Sequence, residues 1–309
     1  QKMTEWLKTA IFYEIYPQSF RDSNGDGIGD INGMIEKLDY IRDLGCNAIW
    51  MNPCYDSPFK DGGYDVRDYR KVAERYGTIE DLRRLFAQVH ERGMHILLDL
   101  VPGHTSEEHP WFVESCKTER NQYSDRYIWT DCWFQRAEGF PYIAGECDRN
   151  GAYILNYFKC QPALNYGFLN PKEHWQKPLD HPACLETRAA MRDVMCYWME
   201  QGCDGFRVDM ADSLVKNDDE TKSGTCQVWS DIIGQVQEQY PEIALVSEWN
   251  NPASAIGKAG FQMDFFLDWF GNGYNLLMRD YDENGRDDSF FKKDSRRSIN
   301  DFLQEYLSK

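Results

Sequence analysis

The 309 residues suffice for one large α/β domain or a domain carrying an insertion. A formal net charge of −17 argues against nucleic acid as a partner, and no apolar run approaches the ~20 residues that cross a bilayer. Ten Trp and eighteen Tyr suit stacking on sugar rings, and equally a large core. The ten cysteines are scattered, several of them inside apolar segments (Cys46, Cys196, Cys203), with no zinc-like Cys/His spacing. Free thiols in a reducing, cytoplasmic compartment are expected. Cys116, Cys132, Cys147 and Cys160 share one irregular region and leave disulfide pairing, and with it a secreted or periplasmic location, open.

Along the chain, 11–16 reads as a first strand. A helix through Met34, Leu38 and Ile41 follows, stopping at Gly45, and then a strand at 46–51. Thr78 caps the next helix with Asp81 at the capping-box position, and Leu82, Leu85, Phe86 and Val89 share one face. That helix stops at Gly93 and the strand 95–101 comes next. From His104 to about His181 the rhythm breaks into aromatics and short turns, too long for an ordinary loop. An inserted subdomain is expected over 105–181, after the third strand and beside the catalytic face. Helix-then-strand units resume at 186–210 and at 228–249, followed by a strand at 263–267. An amphipathic helix over 295–309 carries Ile299, Phe302, Leu303 and Tyr306 on one side.

Helix, glycine stop, then apolar strand is the signature of a parallel sheet with crossovers. A dinucleotide-binding sheet needs a glycine-rich phosphate loop after its first strand, whereas the loop at 22–30 is acidic. Acids at the ends of several strands fit an α/β fold of the (β/α)8 TIM-barrel type, built from 1–104 and 182–309. About six strands are countable where such a barrel has eight. The remaining C-terminal part is expected from a longer chain or a second chain.

Asp22, Asn24, Asp26 and Asp30 alternate with small residues, and Ile28 offers its carbonyl. Hard oxygen donors around a glycine turn suit Ca2+, and Mg2+ less readily. The spacing follows the opening of an EF-hand loop, but Gly33 stands at the twelfth position and a strand precedes it. A structural cation site is therefore expected in place of a true EF-hand, with a solvated turn as the plainer alternative.

Three apolar strands end in acids: Asp99, Asp209 and Glu248. Arg207 and Asp209 share side-chain parity, so the cation can hold the carboxylate ionised for attack. Glu248 follows Ala-Leu-Val and precedes Trp249; apolar surroundings would raise its pKa towards that of an acid catalyst. Cleaving a glycosidic bond with retention takes two carboxyls about 5–5.5 Å apart, and neighbouring strands lie about 4.8 Å apart. His104 can hydrogen-bond a sugar hydroxyl, and Tyr64 can supply a stacking face.

These segments resemble the α-amylase family of glycoside hydrolases, in particular its oligo-1,6-glucosidase and α-glucosidase branch. The resemblance rests on Phe12-Tyr-Glu-Ile-Tyr-Pro17, the 22–30 loop, Gly63-Tyr-Asp-Val-Arg-Asp-Tyr69, Asp99-Leu-Val-Pro-Gly-His104, Gly205-Phe-Arg-Val-Asp209 and Ser247-Glu-Trp249. Gln161-Pro-Ala-Leu-Asn165 is similar to a motif of the inserted domain, with Ala163 where Asp is usual. The resemblance implies Asp209 as nucleophile and Glu248 as acid/base. It further implies Asp61, Tyr64, His104 and Arg207 on the sugar of an oligosaccharide substrate, and Ca2+ in the loop. Gly103 departs from the family's Asn, and the fourth motif, Asn-His-Asp, which carries the third catalytic carboxylate, does not occur. The chain by itself is therefore expected to have little or no activity. A glucosyl isomerase or transglycosylase of the trehalose or sucrose type is the nearest alternative. A non-catalytic amylase-like binding protein is a further one, against which the retained Asp209 and Glu248 speak.

Overall fold

A computed structural model describes residues 3–269, 272–278 and 284–309. Six parallel strands form the central sheet in chain order: β1 (Phe12–Ile15), β2 (Ala48–Met51), β3 (His95–Leu100), β4 (Gly205–Val208), β5 (Ala244–Ser247) and β6 (Met263–Asp264). Each pairs only with its sequence neighbours, so β1 and β6 are the edges among the described residues. Register places Leu97 beside Gly205 and Ala244, and Asp99 beside Arg207 and Val246. Because alternate residues face opposite sides, Ile49, Met51, Ile96, Leu98, Phe206, Val208 and Leu245 bury together in the main core. The other face carries Leu97, Ala244 and Val246, packed with Leu7, Phe12 and Met263. Close approach of β4 and β5 requires glycine at 205, where a Cβ would fall 1.8 Å from the Ala244 carbonyl oxygen.

Helix Ile79–Glu91 forms with its complete capping box, and Leu82, Leu85, Phe86 and Val89 are buried. The helix expected through Met34 and Ile41 is instead two, Ile31–Glu36 and Leu38–Asp43, because Lys37 leaves helical geometry at φ −106° and ψ 8°. Helices Pro182–Gln201 and Ser223–Gln239 lead into β4 and β5. The strand expected at 263–267 shortens to two residues. The last helix, Ile299–Ser308, buries none of its residues fully, although Phe302 and Tyr306 pack on Phe266.

An antiparallel pair, Tyr55–Asp56 with Asp68–Val72, projects after β2; short irregular strands gave it no periodic signal in the sequence. Within 105–181 lie helix Pro110–Ser115 and the hairpin Tyr142–Ala144 with Ala152–Ile154. Ile128, Ile154, Phe168 and Trp175 form a small cluster there, while Phe112, Tyr127, Trp129 and Tyr166 join the main core. All ten cysteines are free, with the sulfurs of Cys116 and Cys147 2.8 Å apart. No helix among the described residues is long and apolar enough to cross a membrane.

Candidate active site

The C-terminal ends of β3, β4 and β5 converge on one cation. Arg207 Nη1 donates to Asp99 at 3.0 and 3.2 Å and to Asp209 Oδ1 at 3.0 Å, and Nη2 pairs with Glu248 Oε2 at 2.9 Å. Asp209 and Glu248 continue the strand register by one residue beyond Val208 and Ser247. Their backbone amides carry the ladder on, donating to Leu100 and Val208 respectively. Both carboxyls thus bind one planar guanidinium, one at each terminal nitrogen.

Each acid has one anchored oxygen. Glu248 Oε2 also accepts the Met210 N–H at 2.9 Å, delivered by a left-handed turn at Met210 (φ 41°). Among the described residues, Asp209 Oδ2 and Glu248 Oε1 have no protein partner. Asp99 is sealed beneath, its side chain fully buried. Besides Arg207 it accepts from Trp50 Nε1 and the Tyr64 hydroxyl, each at 2.9 Å, while the guanidinium carbon lies 4.7 Å from the centroid of the Trp50 ring.

The electrostatics differ from the sequence expectation in two respects. One arginine serves three carboxyls, so burial outweighs it: the Asp209 pKa is pushed well above the usual carboxylate range, first by desolvation and then by the Asp99 charge. Burial likewise lifts Asp99, to about 6, against the pull of Arg207. Glu248, expected in apolar surroundings, is instead a quarter exposed and held by a cation and a backbone N–H. Strand parity turns the Ala-Leu-Val run before it largely into the core, which leaves its carboxyl at the wet end of the sheet.

All six residues expected to act on a sugar line one cleft of about 580 Å³: Asp61, Tyr64, His104, Arg207, Asp209 and Glu248. Asp61 and Tyr64 sit on a loop folded around buried Asp65, whose carboxylate accepts the N–H groups of Lys60 and Asp61. Gln161 donates to Asp61 Oδ2 at 2.6 Å, tying the 105–181 segment to the site. Tyr157, Met210, Asp212 and Trp269 complete the wall; no periodic signal in the sequence had marked them.

His104 is fully engaged by the protein. Its Nε2 lies 3.1 Å from the Tyr64 carbonyl oxygen, and Asn156 Nδ2 lies 3.0 Å from its Nδ1. These partners select the neutral tautomer protonated on Nε2, and burial lowers the pKa to about 4. Asn156 explains the departure at Gly103. A Cβ on Gly103 would come 2.7 Å from the Asn156 amide nitrogen, so glycine leaves room for that amide. Lys216 donates to Asn156 Oδ1 at 3.0 Å and to the Ser213 carbonyl at 2.7 Å, fixing the amide's orientation. Asn156 lies 52 residues from His104, in a stretch with no sequence period; only the oddity of Gly103 hinted at a partner.

The 22–30 loop lies apart from this cleft. Asp22 accepts the N–H groups of Asn24, Gly25 and Gly27, which hold its pKa below the ordinary value. Asn24 and Asp26 each accept from the residue two further on, Asp26 and Ile28. Asp30 is buried and committed elsewhere: it caps helix Ile31–Glu36 through Gly33 N–H and binds Ser23. The loop thus concentrates side-chain oxygens from Asp22, Asn24 and Asp26, a donor set that suits a hard cation. No group of three His, Cys, Asp or Glu among the described residues forms a metal cluster.

Comparison with known proteins agrees with this architecture. The profile of the family described as "Alpha amylase, catalytic domain" matches residues 14–260. An oligo-1,6-glucosidase of Heyndrickxia coagulans is 44% identical over 225 residues, 69% of this chain and 37% of the relative. A glucan 1,6-alpha-glucosidase of Streptococcus pneumoniae is 41% identical over 218 residues, 70% of this chain and 38% of the relative. The crystal structure of the isomaltulose synthase SmuA from Protaminobacter rubrum superimposes with a TM-score of 0.76 at 30% identity, covering 98% of this chain and 55% of that one. The chain thus spans well under half the length of these two curated relatives, and its six parallel strands correspond to part of a (β/α)8 barrel. On sequence and fold together, the chain belongs to the α-amylase family of glycoside hydrolases.

Proposed function

We propose that the protein carrying this chain is a retaining hydrolase of α-glucosidic bonds in oligosaccharides, with Asp209 as nucleophile and Glu248 as acid/base. The observation that carries this reading is the pair of acids on adjacent strand ends, each with one oxygen fixed to Arg207 and the other without a protein partner, on a cleft of sugar size. Asp209 Oδ2 attacks the anomeric carbon while a proton on Glu248 Oε1 passes to the leaving oxygen. Water deprotonated by Glu248 then cleaves the glycosyl ester and restores both groups. Three carboxyls around one guanidinium leave a surplus of negative charge. Burial first, and then that surplus, raises the Asp209 pKa in the resting site, and the surplus favours the cationic sugar of the transition state once one forms.

Asp61 and Tyr64 contact the sugar, and Asn156 holds His104 for the same task. A sugar hydroxyl would have to share the His104 Nε2–H with the Tyr64 carbonyl. The 1,6-glucosidase names of the relatives favour α-1,6 linkages. The match of 98% of the chain to an isomaltulose synthase supports glucosyl transfer within sucrose as a second reading. Product analysis of the complete protein on isomaltose, maltose and sucrose separates them: glucose release from isomaltose supports the first, and rearranged disaccharide from sucrose the second. Because the Asn-His-Asp motif that carries the third catalytic carboxylate in the family does not occur here, residues 1–309 alone are expected to show little or no activity, and rapid turnover by them would overturn that expectation.

The loop oxygens of Asp22, Asn24, Asp26 and the Ile28 carbonyl would hold Ca2+, with Mg2+ second, and Asp30 shapes the loop through its cap. The ion would supply charge balance and rigidity there, away from the reaction. Added Ca2+ is expected to raise the unfolding midpoint, and Asp22→Ala to abolish that rise; no shift with Ca2+ would count against the site.

A further inference from the structure

We propose that a second cleft binds a neutral oligosaccharide without taking part in catalysis. It lies between strand Asp68–Val72, helix Pro110–Ser115 and helix Pro182–Gln201, encloses about 450 Å³, and shares no lining residue with the acid-lined site.

Arg126 identifies the ligand. It is only 9% exposed, lines the cleft, and has its guanidinium carbon 4.6 Å from the centroid of the Trp111 ring and 5.3 Å from that of Tyr123. Its backbone N–H donates to the Tyr123 carbonyl, while its guanidinium meets no protein oxygen acceptor among the described residues. The guanidinium presents a fork of five donors, and a ligand rich in oxygen acceptors can replace the water that meets them in the open cleft. Trp111 and Tyr123 lie near parallel, 20° between planes and 6.3 Å between centroids, and provide the aromatic surface that C–H faces of a sugar ring cover.

Charge then selects between a sugar and an anion. Arg67 is already paired with Asp56 and Glu108. That leaves Arg70 and Arg126 against Asp68 and Asp193 in the lining, two cations and two anions. A lining with no net positive charge gives a phosphate no electrostatic preference, whereas hydroxyl groups accept from arginine and donate to aspartate alike. Such a site would hold one end of a longer oligosaccharide. Its function requires neither Asp209 nor Glu248, so it stands or falls separately from the hydrolase reading.

The test follows the Trp111 indole N–H resonance, assigned with a Trp111→Phe variant, while maltotriose or isomaltotriose is titrated into the protein. A saturable shift is expected, unchanged in Asp209→Asn and weakened at least tenfold in Arg126→Met. Should Arg126→Met fail to fold, Arg70→Ala and Gln122→Ala, at the rim, are expected to weaken the same shift. An indole resonance that does not respond to either trisaccharide, that responds equally in all variants, or that responds to inorganic phosphate instead would overturn the proposal.

Discussion

One sheet face carries two layers of opposite character, an apolar one and, towards the strand ends, an ionic one. Leu97, Ala244 and Val246 form an apolar layer with Phe12 and Met263, whereas Asp99 and Arg207, level with Val246, and Asp209 and Glu248 beyond them form an ionic one. The backbone is the same and the strands are the same; only the side chains at the strand ends change. The lower layer gains by excluding water, and the upper layer is costly to bury. Stability and chemistry are thus assigned to different heights on one scaffold, which is what allows charge to be stored where a cationic sugar would need it.

Removing the upper layer's cation should break this arrangement most severely. Arg207→Met leaves three buried or half-buried acids facing one another, and is expected to cost about 3–5 kcal/mol of folding stability at pH 7. The loss should shrink below pH 5. A carboxyl whose folded pKa lies above its unfolded value, as for Asp99 at about 6, favours folding in acid and loses that contribution as pH rises through the folded value. Urea denaturation across pH 4 to 8 reads both effects. In the lower layer, Leu97→Ala should cost about 2–4 kcal/mol through lost burial and a cavity, with no such pH dependence. If the two variants showed the same pH profile, the distinction between the layers would fail.

A smaller effect sharpens the upper layer. Asn156→Ala removes one hydrogen bond to His104 and should cost about 1 kcal/mol. Nitrogen chemical shifts should show His104 losing its pure Nε2–H tautomer. Adding Gly103→Asn should restore it, since the position freed by Asn156 is the one a side chain at 103 would occupy. In the parent protein His104 should stay neutral down to about pH 4.

The sequence was most readable where the physics is local. The capping box at Thr78 and Asp81 and the apolar face of helix Ile79–Glu91 come from neighbours three and four residues apart, and both formed as expected. The strand-end acids were legible as residues, and the family likeness assembled them into one site. How Arg207 divides itself among three carboxyls was not legible, because Asp99 lies 108 residues away and burial is a property of the folded whole. Asp30 shows a subtler ambiguity: its spacing fits a cation loop and its carboxylate caps a helix, and both uses leave the same mark in the sequence. The ribbon at Tyr55–Asp56 and Asp68–Val72 and the Asn156–His104 contact depend on irregular backbone that carries no period.

The central claim concerns which oxygen attacks. The complete protein, incubated with a slowly hydrolysed 2-fluoro or 5-fluoro α-glucosyl donor and digested for peptide mass mapping, should carry one glucosyl group on Asp209. Labelling of Glu248 or Asp99, or an inverted product with no covalent adduct, would contradict the assignment.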